Sequence, residues 1–153
     1  MMSVIDSLIS IARKEIGYKE GVNNDNKYGV WFGMNHVSWC AIFICWVFAQ
    51  GGAGSKLLKS ASVLEIEAWA IKNKLTVPVS QIQVGDLLCH DFTNSGHSEH
   101  IDMATSAVDF KTHTLTTIGG NTSSGIGSQS NGDGVYEKHR PIASIRTVIR
   151  PKL

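Results

Sequence analysis

At 153 residues, with 42% hydrophobic and 18% charged side chains, the chain is long enough to bury a core without staples and reads as one domain over 1–153. A formal charge of +1 provides no electrostatic case for nucleic-acid binding, which calls for a clustered basic face. Three cysteines make no disulfide framework, and the longest apolar run falls short of the ~20 residues of a membrane span.

Val4, Ile5, Leu8, Ile9, Ala12 and Ile16 recur at helical spacing from Ser3 to Ile16, and Gly17 supplies a C-cap. This first segment has neither the basic stretch nor the apolar length of a secretory signal, so accumulation in the producing cell's cytoplasm is expected. Residues 18–37 read as a long loop. Its Asn, Asp and Gly residues supply turn geometry, while Tyr28, Trp31 and Phe32 are too apolar for an idle linker. Asn23–Asn26 has only one carboxylate, Asp25, and lacks the ligand spacing of a calcium loop, so no metal is assigned there.

From Trp39 to Ala49 the chain is almost unbroken apolar sequence, halted by Gln50-Gly51-Gly52. A helix with no polar face is buried on all sides and belongs at the centre of the domain. Ser38 is the expected N-cap, which seats Cys40 at the positive end of the helix dipole, where a thiol is acidified. Cys45 and Cys89 lie inside apolar runs and read as packing.

Ser62 and Glu65 form a capping-box pattern opening a helix that runs to about Asn73. Beyond it the pattern turns to strands. Val84–Phe92 is entered by a Gly85-Asp86 turn, His100–Val108 and His113–Ile118 form a hairpin around Asp109–Thr112, and Val135–Arg140 and Ile142–Ile149 close the chain. Helices first and strands afterwards predict an α+β fold with an antiparallel sheet of about five strands.

A cysteine nucleophile needs a base and a group that holds the base. Among six histidines, His100 opens a strand, where its ring is held rigidly and faces a cleft. If that strand and the next are neighbours, Asn121 lies beside it, and its carbonyl oxygen orients the imidazole. Asp102 shares a face with His100 by alternation; a surface role is the expected one, with assistance to His100 as the alternative.

The segments Tyr28-Gly29 through Asn35, Trp39-Cys40-Ala41-x-Phe43-x-x-Trp46, Val84-Gly85-Asp86-Leu87, His100 and Gly120-Asn121-Thr122 resemble the cysteine, histidine-dependent amidohydrolase/peptidase (CHAP) family over about Glu15 to Arg150. The resemblance implies a papain-like fold, with the cysteine on the central helix and the histidine on the sheet. It also implies cleavage of amide bonds in bacterial peptidoglycan, as by phage endolysins, through Cys40, His100 and Asn121, by a monomer with no cofactor. The cut falls either between sugar and stem peptide or within the peptide and its cross-bridges. Tyr28, Trp31 and Trp39 are expected to line the substrate groove. Two departures stand out: Gly119 occupies the place where some members carry a Glu, and Ile101-Asp102-Met103 follows the histidine where others continue with Gly.

Two rival readings differ in class. A zinc module built from Cys89, His90, His97 and His100 has suitable ligand types, but Cys89 and His90 are adjacent on a strand and point to opposite faces. The other is a catalytically silent wall-binding or virion structural domain that keeps the fold alone.

Overall fold

The computed structural model describes residues 2–125 and 127–153. Four helices precede a six-stranded antiparallel sheet: α1 (Val4–Arg13), α2 (Lys27–Phe32), α3 (Cys40–Gln50) and α4 (Val63–Lys72), then β1 (Thr76–Val77), β2 (Leu87–His90), β3 (His100–Ala104), β4 (Thr114–Thr122), β5 (Gly134–Pro141) and β6 (Ile145–Ile149). The strand order is β1-β6-β2-β3-β4-β5. The α+β class is as expected, with one strand more. The extra strand, β1, is two residues long and pairs only with β6, too short to register as an alternating pattern.

Helix ends follow local chemistry. The Ser3 side chain caps α1 by accepting from the Asp6 N–H, and Ser62 caps α4 by accepting from the Glu65 N–H. The Glu65 carboxylate does not close a capping box, because it accepts from Ser60 Oγ instead. Helix α2 lies in the stretch expected to be loop. Asn26 caps it by accepting from the Gly29 N–H at 2.8 Å, and Gly33 ends it at φ 87°, so its six residues are held by caps rather than by any periodic apolar face.

Helix α3 is buried on almost every side and packs on β3 and β4, with α1 and α2 against its other flanks. Phe43, Ile44, Val47 and Phe48 meet Leu87, Cys89, Ile101, Met103 and Ile118 from one face of the sheet. The other face has its own core of Leu88, Ala104, Leu115 and Val148, covered by Val79, Ile142 and Ile145. Both faces of β2 and β3 are therefore buried, which is why these strands carry no exposed polar alternation.

Two glycines allow the layers to meet. A Cβ on Gly120 in β4 would fall 2.6 Å from Trp39 and 2.8 Å from Phe43 Cβ, so only a bare backbone admits the first turn of α3 so close to the strand. A Cβ on Gly119, on the opposite face, would fall 2.9 Å from Asp102 Cβ and 3.1 Å from His100 Nε2.

Candidate active site

Cys40 is the first residue of α3, with Trp39 rather than Ser38 in the N-cap position. No side chain caps this end; Ser38 Oγ instead accepts a hydrogen bond from Asn121 Nδ2 at 2.7 Å, tying the entry of the helix to β4. The thiol is 3% exposed and lies against the backbone N–H of Ile101, the residue after His100. Burial pushes it above the ordinary thiol value, and the nearby Asp102 charge pushes the same way. The N–H groups of Ile101, Ala41 and Cys40 itself pull in the opposite direction without prevailing. The expectation of an acidified thiol is corrected: desolvation outweighs the helix end.

His100 begins β3 and is fully buried. Its ring packs beside Phe92 and the ring of His90, and both ring nitrogens lack a hydrogen-bond partner. Burial holds its pKa below the usual imidazole value, reinforced by the charges of His90 and Arg140 and opposed by Asp102. No hydrogen bond therefore joins the ring to Cys40 Sγ or to Asn121 in the resting structure.

β3 and β4 pair at Met103↔Ile118 and Ala104↔Thr117, and Gly119 lies beside Asp102 and the His100 ring. The two strands are antiparallel neighbours, and the recorded pairing ends at Met103↔Ile118, before the irregular stretch that holds Asn121. Asn121 sits at φ 56° in an irregular stretch of β4, and its amide nitrogen is spent on Ser38 and on the Ser130 carbonyl. Its side-chain oxygen is buried and unpartnered.

Asp102 is not on the surface. It is fully buried at the centre of a polar cluster on the sheet face away from the helices. His90 Nε2 lies 2.8 Å from Oδ1, Thr117 Oγ1 donates to Oδ2 at 2.8 Å, and His100 Nε2 and Arg140 Nε stand 3.6 and 3.5 Å from Oδ2. Burial acts to raise this carboxyl, but the two histidines outweigh it and hold it well below the usual carboxylate range. Sequence reasoning names Asp102 as a candidate helper of His100 but prefers a surface role for it, and weighs His90 only as a metal ligand; it does not foresee their pairing. The signal lay in the alternation that puts His100 and Asp102 on one face of a strand with no exposed face.

The aromatics divide. Tyr28 and Trp39 are fully buried and stack on one another at 5.4 Å, with their polar tips on Glu15 and Glu20. They support the helix entry and cannot line an open groove, a correction that follows from burial on all sides by Tyr18, Phe43 and Trp46. Trp31 is 37% exposed on α2, under the Lys59 ammonium. Next to it, a groove of about 510 Å³ runs past Phe32, Met34, Val37, Lys59 and Glu65 to Ser38.

Among the described residues no group of three or more His, Cys, Asp or Glu side chains is arranged to hold a metal ion. Cys89 faces the helix-side core and His90 the opposite face, where it pairs with Asp102 and Ser144. In the Asn23–Asn26 turn, the Asp25 carboxylate accepts from Asn35 and the Asn23 carbonyl faces the His36 ring.

No protein-family model matches the chain, and no curated protein does. Solved structures do. The crystal structure of the wild-type endolysin LysIME-EF1 superposes with a TM-score of 0.56 at 17% identity, over 99% of this chain and 65% of that one. The crystal structure of Ly7917 superposes with a TM-score of 0.57 at 16% identity, over 97% of this chain and 63% of that one. The chain thus spans somewhat less than two thirds of the length of the proteins it matches, and what it shares with them is a fold.

Proposed function

We propose that this chain is a thiol-dependent peptidoglycan hydrolase of the CHAP type, cleaving an amide bond of the bacterial wall as an N-acetylmuramoyl-L-alanine amidase or as a peptide or cross-bridge endopeptidase. The observation that supports it best is the seat of Cys40, the first residue of a buried helix, against the strand that opens with His100. The imidazole there is buried with both nitrogens free of hydrogen bonds. A fold shared with an endolysin agrees with this reading, and a wall substrate for this chain follows from the same analogy.

The resting pair is a neutral thiol and a neutral imidazole. As substrate enters, His100 takes the thiol proton while Cys40 Sγ adds to the amide carbonyl carbon, and the carbonyl electron pair moves to oxygen. The N–H of Cys40, at the open helix end, donates to that oxyanion; one such donor is worth about 2.7–4 kcal/mol. The carbon–nitrogen bond then breaks, with the proton passing from His100 to the departing amine. Water, deprotonated by His100, hydrolyses the thioester and restores the thiol. The groove along Met34 and Lys59 to Ser38 is the approach for the substrate chain. No described helix is long and apolar enough to cross a membrane.

Turbidity loss of purified bacterial walls tests the assignment: Cys40→Ser and His100→Ala are expected to abolish clearing, and clearing retained by either variant rejects it. Mass spectrometry of the released fragments separates freed sugar ends from new peptide N-termini.

A further inference from the structure

Position 119 lacks a side chain, and the space that one would occupy is filled. The ring of His100 lies over Gly119, and Asp102 reaches the same place from His100's own strand. A histidine that serves a nucleophile needs its far nitrogen held by an acceptor. Asn121 makes no such bond here: its Nδ2 is turned to Ser38 and Ser130, and neither its Oδ1 nor either nitrogen of the His100 ring has a hydrogen-bond partner.

We infer that Asp102 is the positioning residue of His100: it accepts from Nε2 and leaves Nδ1 as the nitrogen that exchanges a proton with Cys40. The inference rests on the proposed hydrolase reading. The carboxylate is built for this task. Oδ1 is held by His90, which is held in turn by Ser144, and Oδ2 is held by Thr117, so both oxygens are anchored. Oδ2 stands 3.6 Å from His100 Nε2, just beyond hydrogen-bond length, and the other atoms that meet the carboxylate leave this side of it to the ring. Nδ1 has no acceptor of its own in the structure. Gly119 is the counterpart of this arrangement: a carboxylate on β3 leaves no room for one on β4. Arg140 is stacked over Phe92 and bonded to Thr122 and Gln129, closing the cluster from β5.

The experiment is nitrogen-15 NMR of the histidine rings in the full chain near pH 7, read beside wall-clearing kinetics. The wild-type protein is expected to hold His100 as the Nε2–H tautomer. Asp102→Asn is expected to depopulate that tautomer and to lower kcat by about 10²–10⁴-fold, the range of lost acid–base catalysis, with KM nearly unchanged. The paired change Asp102→Gly with Gly119→Asp moves the carboxylate to the facing strand and is expected to recover at least about 10-fold in kcat over Asp102→Gly alone, the coupling expected of two sites sharing one partner. A wild-type His100 found as Nδ1–H overturns the inference, and so does an Asp102→Asn protein with unaltered tautomer and kcat. Should Asp102→Asn not fold, the wild-type tautomer decides alone. Wall clearing by Cys40→Ser overturns the hydrolase reading instead, while the ring tautomer still reports on Asp102.

Discussion

Gly120→Ala perturbs the contact that seats the nucleophile. The added Cβ would lie 2.6 Å from the Trp39 ring and 2.8 and 2.9 Å from Phe43 Cβ and Cγ. Carbon atoms rest about 3.5–4.0 Å apart, so the first turn of α3 must withdraw by roughly 1 Å, because no flexible side-chain end is available to yield. Overpacking of this kind costs about 1–3 kcal/mol. At about 2–4 °C per kcal/mol for a chain of this size, Tm should fall by roughly 2–12 °C. The same withdrawal moves Cys40 relative to His100, and a 1 Å misplacement can cost about 10²-fold in rate. Thermal melts followed by circular dichroism measure the first effect, and wall clearing measures the second. Gly125→Ala is the control, since its Cβ would meet nothing within 4 Å, and it should stay within about 0.5 kcal/mol of wild type. A Gly120→Ala protein with the melting temperature and clearing rate of the control refutes the reasoning.

The remaining predictions concern protons. Burial keeps the Cys40 thiol above its ordinary value, so iodoacetamide labelling of Cys40 in the wall-free protein should climb steadily through the alkaline range. A plateau reaching down to pH 6 would indicate a resting thiolate–imidazolium pair and contradict the structure. His100 has a folded pKa below its unfolded value of about 6.5, so the stability tied to its neutral form is complete above that pH and is lost as pH falls beneath it. The groups facing it are Asp102, His90 and Arg140, together with the Phe92 ring. Denaturant titrations between pH 7 and pH 5 should lose stability in wild type. His100→Asn should flatten that slope by up to about 1.4 kcal/mol per pH unit, and an unchanged slope counts against a neutral buried ring.

The α+β class, the buried helix and the cysteine at its head are local matters, and they could be read from residue order. An apolar run with no polar face has one place to go, and Gly51-Gly52 ends it wherever it lies. The strand that opens with His100 was legible from turn residues and alternation, while its neighbour was read only to Ile118 and in the structure runs on through Gly119, Gly120 and Asn121 to Thr122. Helix α2 was not, since six residues held by an asparagine cap and a left-handed glycine leave too short a pattern to separate from loop.

Burial and partnership belong to the folded molecule alone. Asp102, Tyr28 and Trp39 had the composition of a surface carboxylate and two groove aromatics, yet each is sealed in by elements distant in the chain. Nothing local shows that the Asn121 amide nitrogen turns to Ser38, 83 residues away, while its oxygen stays buried without a partner. Periodicity names the face on which a side chain lies, because that depends on backbone geometry shared by every strand. Whether the face meets water, and which polar group arrives first, depends on long-range packing that no local pattern encodes.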